Sequence, residues 1–125
     1  MAPTPANMYA DVLRHDLCAF IHRSFLELNP QTRFYTSGHI EVLAAKLEEA
    51  RQGLCKRLIV NMPPRLLKSH ATSITFPAWV LGHHPAKQIL TVTYAQDLSD
   101  NFARKADVEI RASATLSPAY RWSPV

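Results

Sequence analysis

The chain of 125 residues has no apolar run approaching the ~20 residues that cross a bilayer. Its start, Met1-Ala2-Pro3-Thr4-Pro5, lacks the charged segment and apolar core of a secretory signal. Together these absences predict a soluble, cytoplasmic protein without a membrane partner. Cysteine is nearly missing. Cys18 and Cys55 stand far apart without metal-ligand spacing, so reduced, partly buried thiols are expected. No Lys/Arg run is long enough to form a nucleic-acid arm, although the net charge of +4 leans toward a polyanionic partner, a balance many soluble domains share. Neither an internal repeat nor a low-complexity linker is present. A chain this short is at most one small domain, and 47% apolar residues suffice for a folded core.

The stretch with most chemical content is Arg57-Leu58-Ile59-Val60-Asn61-Met62-Pro63-Pro64-Arg65-Leu66-Leu67-Lys68-Ser69. It reads as a β-branched apolar strand, a tight Pro-Pro turn and a Lys-Ser pair opening a helix. That is the layout of a phosphate-binding loop, in which free amides and the dipole at a helix N-terminus attract anions. In such a loop Lys68 neutralises the β/γ-phosphates of ATP and the Ser69 hydroxyl holds Mg²⁺, while Pro64, Arg65, Leu66 and Leu67 line the turn. Glycine is what the loop lacks. Met62 and Leu67 occupy the two glycine positions of G-x-x-x-x-G-K-[ST], where glycine supplies unusual backbone angles and close approach to phosphate. The alternative is an ordinary helix start, with Ser69 as a cap-like residue and Lys68 solvated.

Before that stretch, residues 1–7 predict a Pro-rich, disordered start. Apolar residues from Tyr9 to Leu28 recur at three and four, which predicts one amphipathic helix ending before Asn29-Pro30. Ser37 opens a second helix over 38–52, with Ile40, Leu43, Ala44 and Leu47 inward and Gly53 as its stop. After the loop a third helix runs from about Leu67, inward at Ile74, Ala78 and Leu81, and kinked or split at Pro77. Gln88-Ile89-Leu90-Thr91-Val92-Thr93-Tyr94 reads as a second strand. Strand, helix and strand then make a right-handed parallel unit. A last helix, 97–111, buries Leu98, Phe102, Ala106 and Ile110 and exposes Arg104, Lys105, Asp107 and Glu109. The fold class expected is α/β: a partial P-loop NTPase fold, two N-terminal helices followed by a βαβα unit with parallel strands, occupying 8–111, with an irregular tail over 112–125.

The phrase Asn61-Met62-Pro63-Pro64-Arg65-x-x-Lys68-Ser69, then Phe76-Pro77-Ala78-Trp79-Val80-Leu81-Gly82, then Thr93-Tyr94-Ala95-Gln96-Asp97-Leu98, resembles the ATPase region of the large terminase subunit of tailed bacteriophages. The resemblance spans about Asp16 to Ile110, with the three blocks in the family's order. It implies a deviant Walker A loop with an early arginine, so that Arg65 neutralises the γ-phosphate or a neighbour's. It also implies an adenine contact upstream, for which His39 stands at the resembling position, and a role for Gln96 near the γ-phosphate or nucleic acid. An ordinary helix-start histidine and a helix-capping glutamine are the alternatives at those two positions. The implied partners are double-stranded DNA, the portal protein and the small terminase subunit, in a homo-oligomer at the portal within the host's cytoplasm.

An apolar strand ending in Asp-Glu, which would complete Mg²⁺ binding and polarise the attacking water, is missing after Lys68. So is the family's acidic nuclease cluster. The sequence therefore resembles an N-terminal terminase fragment, able to bind ATP without efficient hydrolysis. A non-catalytic remnant and another P-loop ATPase, such as a helicase-like protein, are the competing readings.

Overall fold

The computed structural model describes residues 5–116, with side chains described for residue 5 and residues 8–111. It contains α1 (Pro5–His15), α2 (Leu17–Leu28), α3 (Gly38–Arg51), a π-helical segment (His70–Thr75), α4 (Phe76–His83) and α5 (Gln96–Leu116). Residues 117–125 of the expected tail lie outside the described residues.

Two helices stand where the periodicity predicts one. Asp16 breaks the run: its backbone is extended, and its carboxylate accepts hydrogen bonds from the amides of Cys18 at 2.9 Å and Ala19 at 3.3 Å. An acidic side chain that satisfies free amides starts a helix better than it continues one. Residues 5–7, expected to be disordered, belong to α1. In α3 the four buried residues are Ile40, Leu43, Ala44 and Leu47, and Gly53 follows the helix with φ of +82°, a left-handed angle that favours glycine.

Pro77 divides the third helix as its chemistry requires. It has no N–H to donate one turn back, and its ring crowds the preceding turn. The backbone widens into π geometry over His70–Thr75, with the Phe76 amide bonded to the Ala71 carbonyl, before α4 continues. Trp79 lies on the buried side of α4 and donates from Nε1 to the Leu13 carbonyl at 3.1 Å. Around it the core gathers Leu13, Leu17, Phe20 and Ile21 from α1 and α2, with Leu43 and Leu47 of α3 and Ala71 and Ala78.

The expected α/β fold is corrected here. The described residues contain helices and no strand, so no parallel βαβα unit forms. Residues 57–63 and 88–93 run without helix, turn or bend, and neither 57–63 nor 88–94 makes a backbone-to-backbone hydrogen bond with another described residue. Leu58, Val60 and Met62 rest against the core while Arg57, Ile59 and Asn61 face outward. Half of the β pattern is therefore present, the alternation of sides, but not the neighbouring strand that makes a ladder.

Helix α5 packs on α2, α4 and the π-helical segment with a buried polar seam. Ser24 Oγ and Thr75 Oγ1 share a hydrogen bond at 3.0 Å, and Thr75 Oγ1 lies 3.2 Å from His70 Nε2. Glu109, expected outside, is buried beside Ser24, and its Oε2 has no hydrogen-bond partner. Burial, with Lys105 nearby, lowers the His70 pKa from 6.5 to about 4, against a hydrogen bond to the Ile21 backbone. Burial raises the Glu109 pKa from 4.5 to about 7; repulsion from Glu27 adds to this, and a Ser24 hydrogen bond and Arg23 oppose it.

The two groups have opposite linkage. Folded Glu109 keeps a proton that the unfolded chain releases above pH 4.5, so its contribution falls as pH rises toward 7. Folded His70 refuses a proton that the unfolded chain accepts below pH 6.5, so its contribution falls as pH drops toward 4. Glu109→Gln removes only the first. Relative to the native chain it should gain stability between pH 4.5 and pH 7.5, by up to about 3 kcal/mol at ~1.4 kcal/mol per pH unit. Urea unfolding at the two pH values measures this; an equal difference at both would mean that Glu109 is solvated.

Candidate phosphate-binding loop

Pro63 and Pro64 fix the backbone where the chain leaves the core-facing run 58–62. The chain then curls tightly. Arg65 has φ of +66° and Leu67 has φ of +60°, the two non-glycine residues with left-handed backbone among those described. Left-handed geometry costs an L-residue roughly 1–2 kcal/mol. Alternation of left-handed with other conformations turns successive N–H groups toward one side, a concavity that binds anions. Leu67 is also one of the two positions where the glycine of a phosphate-binding loop is missing, so the unusual angle is adopted without the usual residue.

Lys68 and Ser69 open the helical run that continues through the π-helical segment into α4. The Leu67 carbonyl accepts from the Ala71 amide at 2.9 Å, and the Lys68 carbonyl accepts from the Thr72 hydroxyl at 2.7 Å. The first turn is thus closed directly behind the curl. Ser69 has helical backbone angles and makes no capping hydrogen bond, so the capping alternative for its hydroxyl does not describe this structure. Lys68 is half-buried and makes no ion pair with another described residue; Arg65, Pro64 and Ser69 are exposed, and Leu66 and Leu67 half-buried, Leu67 against the core.

His39 stands on α3 at one end of a groove of about 390 Å³, lined by Val42, Leu43 and Lys46 opposite Leu58 to Met62. Its ring is hydrogen-bonded to Ser37 Oγ, at 2.7 Å from Nδ1. The groove leads along the run that delivers the chain to the Pro63-Pro64 turn. Gln96 begins α5, and its amide donates to Asp100 Oδ1 at 2.8 Å within that helix.

Sequence reasoning missed two polar clusters. One is the seam of His70, Ser24, Thr75 and Glu109, which the chain enters at His70, the residue after Ser69. The other joins α3 to α4: Arg51 is held by Glu48, lies over the Trp79 ring at 5.1 Å and reaches His84 Nε2 at 3.4 Å, while His83 packs edge-on against Trp79. The Arg51 hydrogen bond lowers the Glu48 pKa, and burial followed by the neighbouring Arg51 lowers that of His83. Thr75 lies five residues after His70, one turn in π register, so α-helical spacing does not pair them. No group of three or more His, Cys, Asp or Glu gathers as a metal site among the described residues. Nor is any helix among them long and apolar enough to cross a membrane.

The chain matches no protein-family model, no curated protein and no solved structure.

The curl can be tested at Arg65, whose exposed side chain has little packing to lose. Arg65→Gly should leave stability unchanged or raise it by up to about 1 kcal/mol, whereas β-branched Arg65→Ile should cost roughly 1–3 kcal/mol. Equal urea midpoints for the two variants would show that the backbone at 65 is not left-handed.

Proposed function

We propose that this chain binds the triphosphate of ATP together with Mg²⁺ through residues 64–69, and that it is a piece of the large terminase subunit, the ATP-driven motor that packages DNA in tailed bacteriophages. The observation that carries the proposal is the pair of left-handed residues, Arg65 and Leu67, set immediately before Lys68 and Ser69 at the start of a helical run. Left-handed residues set between others turn successive amides toward one side, which is the arrangement that binds anions.

Within this proposal the amides of 65–69 face the phosphates, the Lys68 ammonium neutralises their charge and the Ser69 hydroxyl ligates Mg²⁺, the remaining positions being filled by phosphate oxygens and water. Arg65, exposed on the turn, reaches the γ-phosphate or that of an adjacent subunit. His39 contacts the base through the groove it shares with Leu58 to Met62. Gln96 keeps two candidate roles, at the γ-phosphate and as the opening residue of α5; its bond to Asp100 favours the second. The proposal concerns the loop and does not require a parallel sheet.

The acids of the second half, Asp97, Asp100, Asp107 and Glu109, all lie on α5. None follows an apolar strand, so binding without efficient turnover is the expected behaviour. Double-stranded DNA, the portal protein and the small terminase subunit are the partners this assignment brings.

Isothermal titration of the full chain with ATP in excess Mg²⁺ tests the site. Lys68→Ala should weaken binding at least tenfold, and removal of Mg²⁺ should weaken it in the native chain but have less effect in Ser69→Ala. Undiminished binding by Lys68→Ala would overturn the site assignment.

A further inference from the structure

Helix α5 is seated on the rest of the fold by little apolar contact. Of its described side chains Glu109 alone is buried; Leu98, Phe102, Ala106 and Ile110 are half-buried, and of these only Ile110 rests against the main hydrophobic cluster. Burial of an apolar stripe is what ordinarily holds a helix on a core. Here the side chain taken furthest out of water is an acid.

The groups around that acid come from both sides of the interface. Helix α2 brings Ser24, Arg23 and Glu27, the π-helical segment brings Thr75 and His70, joined to Ser24 through the Thr75 hydroxyl, and α5 itself brings Lys105 beside His70. His83, the one titratable side chain of α4, packs on Trp79 near Arg51. Arg23 Nη2 is 3.0 Å from Glu27, while neither Arg23 Nε nor Glu109 Oε2 has a hydrogen-bond partner among the described residues. A protonated carboxyl sits in such a place at small cost. A carboxylate would find its one cation engaged by Glu27, a like charge beside it and an oxygen left unsatisfied.

Moving α5 alone relieves that charge. The chain reaches the helix through residues 88–94, which make no backbone-to-backbone hydrogen bond with another described residue and leave Leu90 88% and Tyr94 96% exposed. The Gln96–Asp100 and Asp107–Arg111 contacts lie within α5 and travel with it. His70 stays behind, its ring edge-on to Phe25 and bonded to Thr75 and the Ile21 backbone.

We propose that α5 is a proton-dependent latch, seated on α2 and the π-helical segment while Glu109 carries its proton and released as a unit about residues 88–95, with the other helices in place, when the carboxyl ionises. The latch is independent of nucleotide binding and uses none of residues 64–69.

Seated Glu109 holds its proton up to about pH 7, and a solvated one releases it above pH 4.5, so opening of α5 becomes easier as pH rises between those values. Unfolding of the whole chain also frees His70, whose opposite linkage cancels most of that change. Hydrogen exchange of the full chain near pH 5 and pH 7.5, each amide rate divided by its intrinsic rate, separates the two openings. Protection over residues 100–110 should fall roughly fiftyfold from the lower pH to the higher, while that of α3 changes by about threefold at most. Glu109→Gln, with its fold checked by circular dichroism, should abolish the fall in α5. Parallel change of α5 and α3 in the native chain, α5 protection that holds at the higher pH because Arg23 turns to the carboxylate, or a fall that persists in Glu109→Gln would each overturn the proposal. The first two outcomes need only the native chain.

Discussion

The indole of Trp79 is the point on which the two halves of the chain depend. Its ring is buried, its N–H reaches the Leu13 carbonyl 66 residues earlier, and Arg51 of α3 covers its face. A buried indole without an acceptor would lose the hydrogen bond its N–H makes in water, so the bond to Leu13 fixes the angle at which α4 meets the first helices as well as its depth. Everything between Pro64 and His70 hangs from this contact. Residues 64–67 lie between the helical run that opens at Lys68 and leads to Trp79, and the run 58–62, whose Leu58, Val60 and Met62 rest on the core.

The helices were legible because their information is local. Ile40, Leu43, Ala44 and Leu47 recur at helical spacing, Gly53 stops the helix they define, and Pro77 announces a break that the structure resolves as π geometry. Asp16 was equally local and was overlooked, since the apolar period continues through it; only its capping bonds reveal two helices. The strands failed for the opposite reason. Ile59, Val60, Ile89 and Val92 have β-forming side chains, but a strand is completed by hydrogen bonds to a neighbour remote in sequence, and composition cannot supply one. Propensity predicted strands, and among the described residues none forms; residues 57–63 and 88–93 only run without helix, turn or bend.

Glu109 shows a different limit. Its neighbours Lys105, Asp107 and Arg111 are exposed, and its charge makes a solvated carboxylate the expectation, yet at 100° per residue Glu109 falls between Leu98 and Phe102 inside the apolar stripe, so its position marked it for burial. Burial against Ser24 arises because α5 crosses α2 beside the π-helical segment, where Thr75 and His70 already place polar atoms. A seam holding both a base kept neutral and an acid kept protonated has compensating proton linkages over the mildly acidic range, since the folded state gains one proton relative to the unfolded chain at Glu109 and loses one at His70.

The candidate loop was legible in its polar residues and illegible in its backbone. Lys68 and Ser69 announce phosphate chemistry, while the missing glycines argue against the conformation such chemistry needs. Left-handed backbone forms at Arg65 and Leu67 nonetheless, and the two residues hold it differently. Arg65 is exposed and gains nothing from packing, but Leu67 lays its side chain against the core. Full burial of a leucine side chain stabilises by about 1.5–3 kcal/mol, and half-buried Leu67 recovers roughly half of that, comparable to the ~1–2 kcal/mol cost of its left-handed backbone. A glycine at 67 would relieve the angle and lose the anchor. In this chain the leucine ties the turn to the core from behind; for the proposed phosphate site this orients the following amides in advance, so that the ordering cost of binding falls on folding.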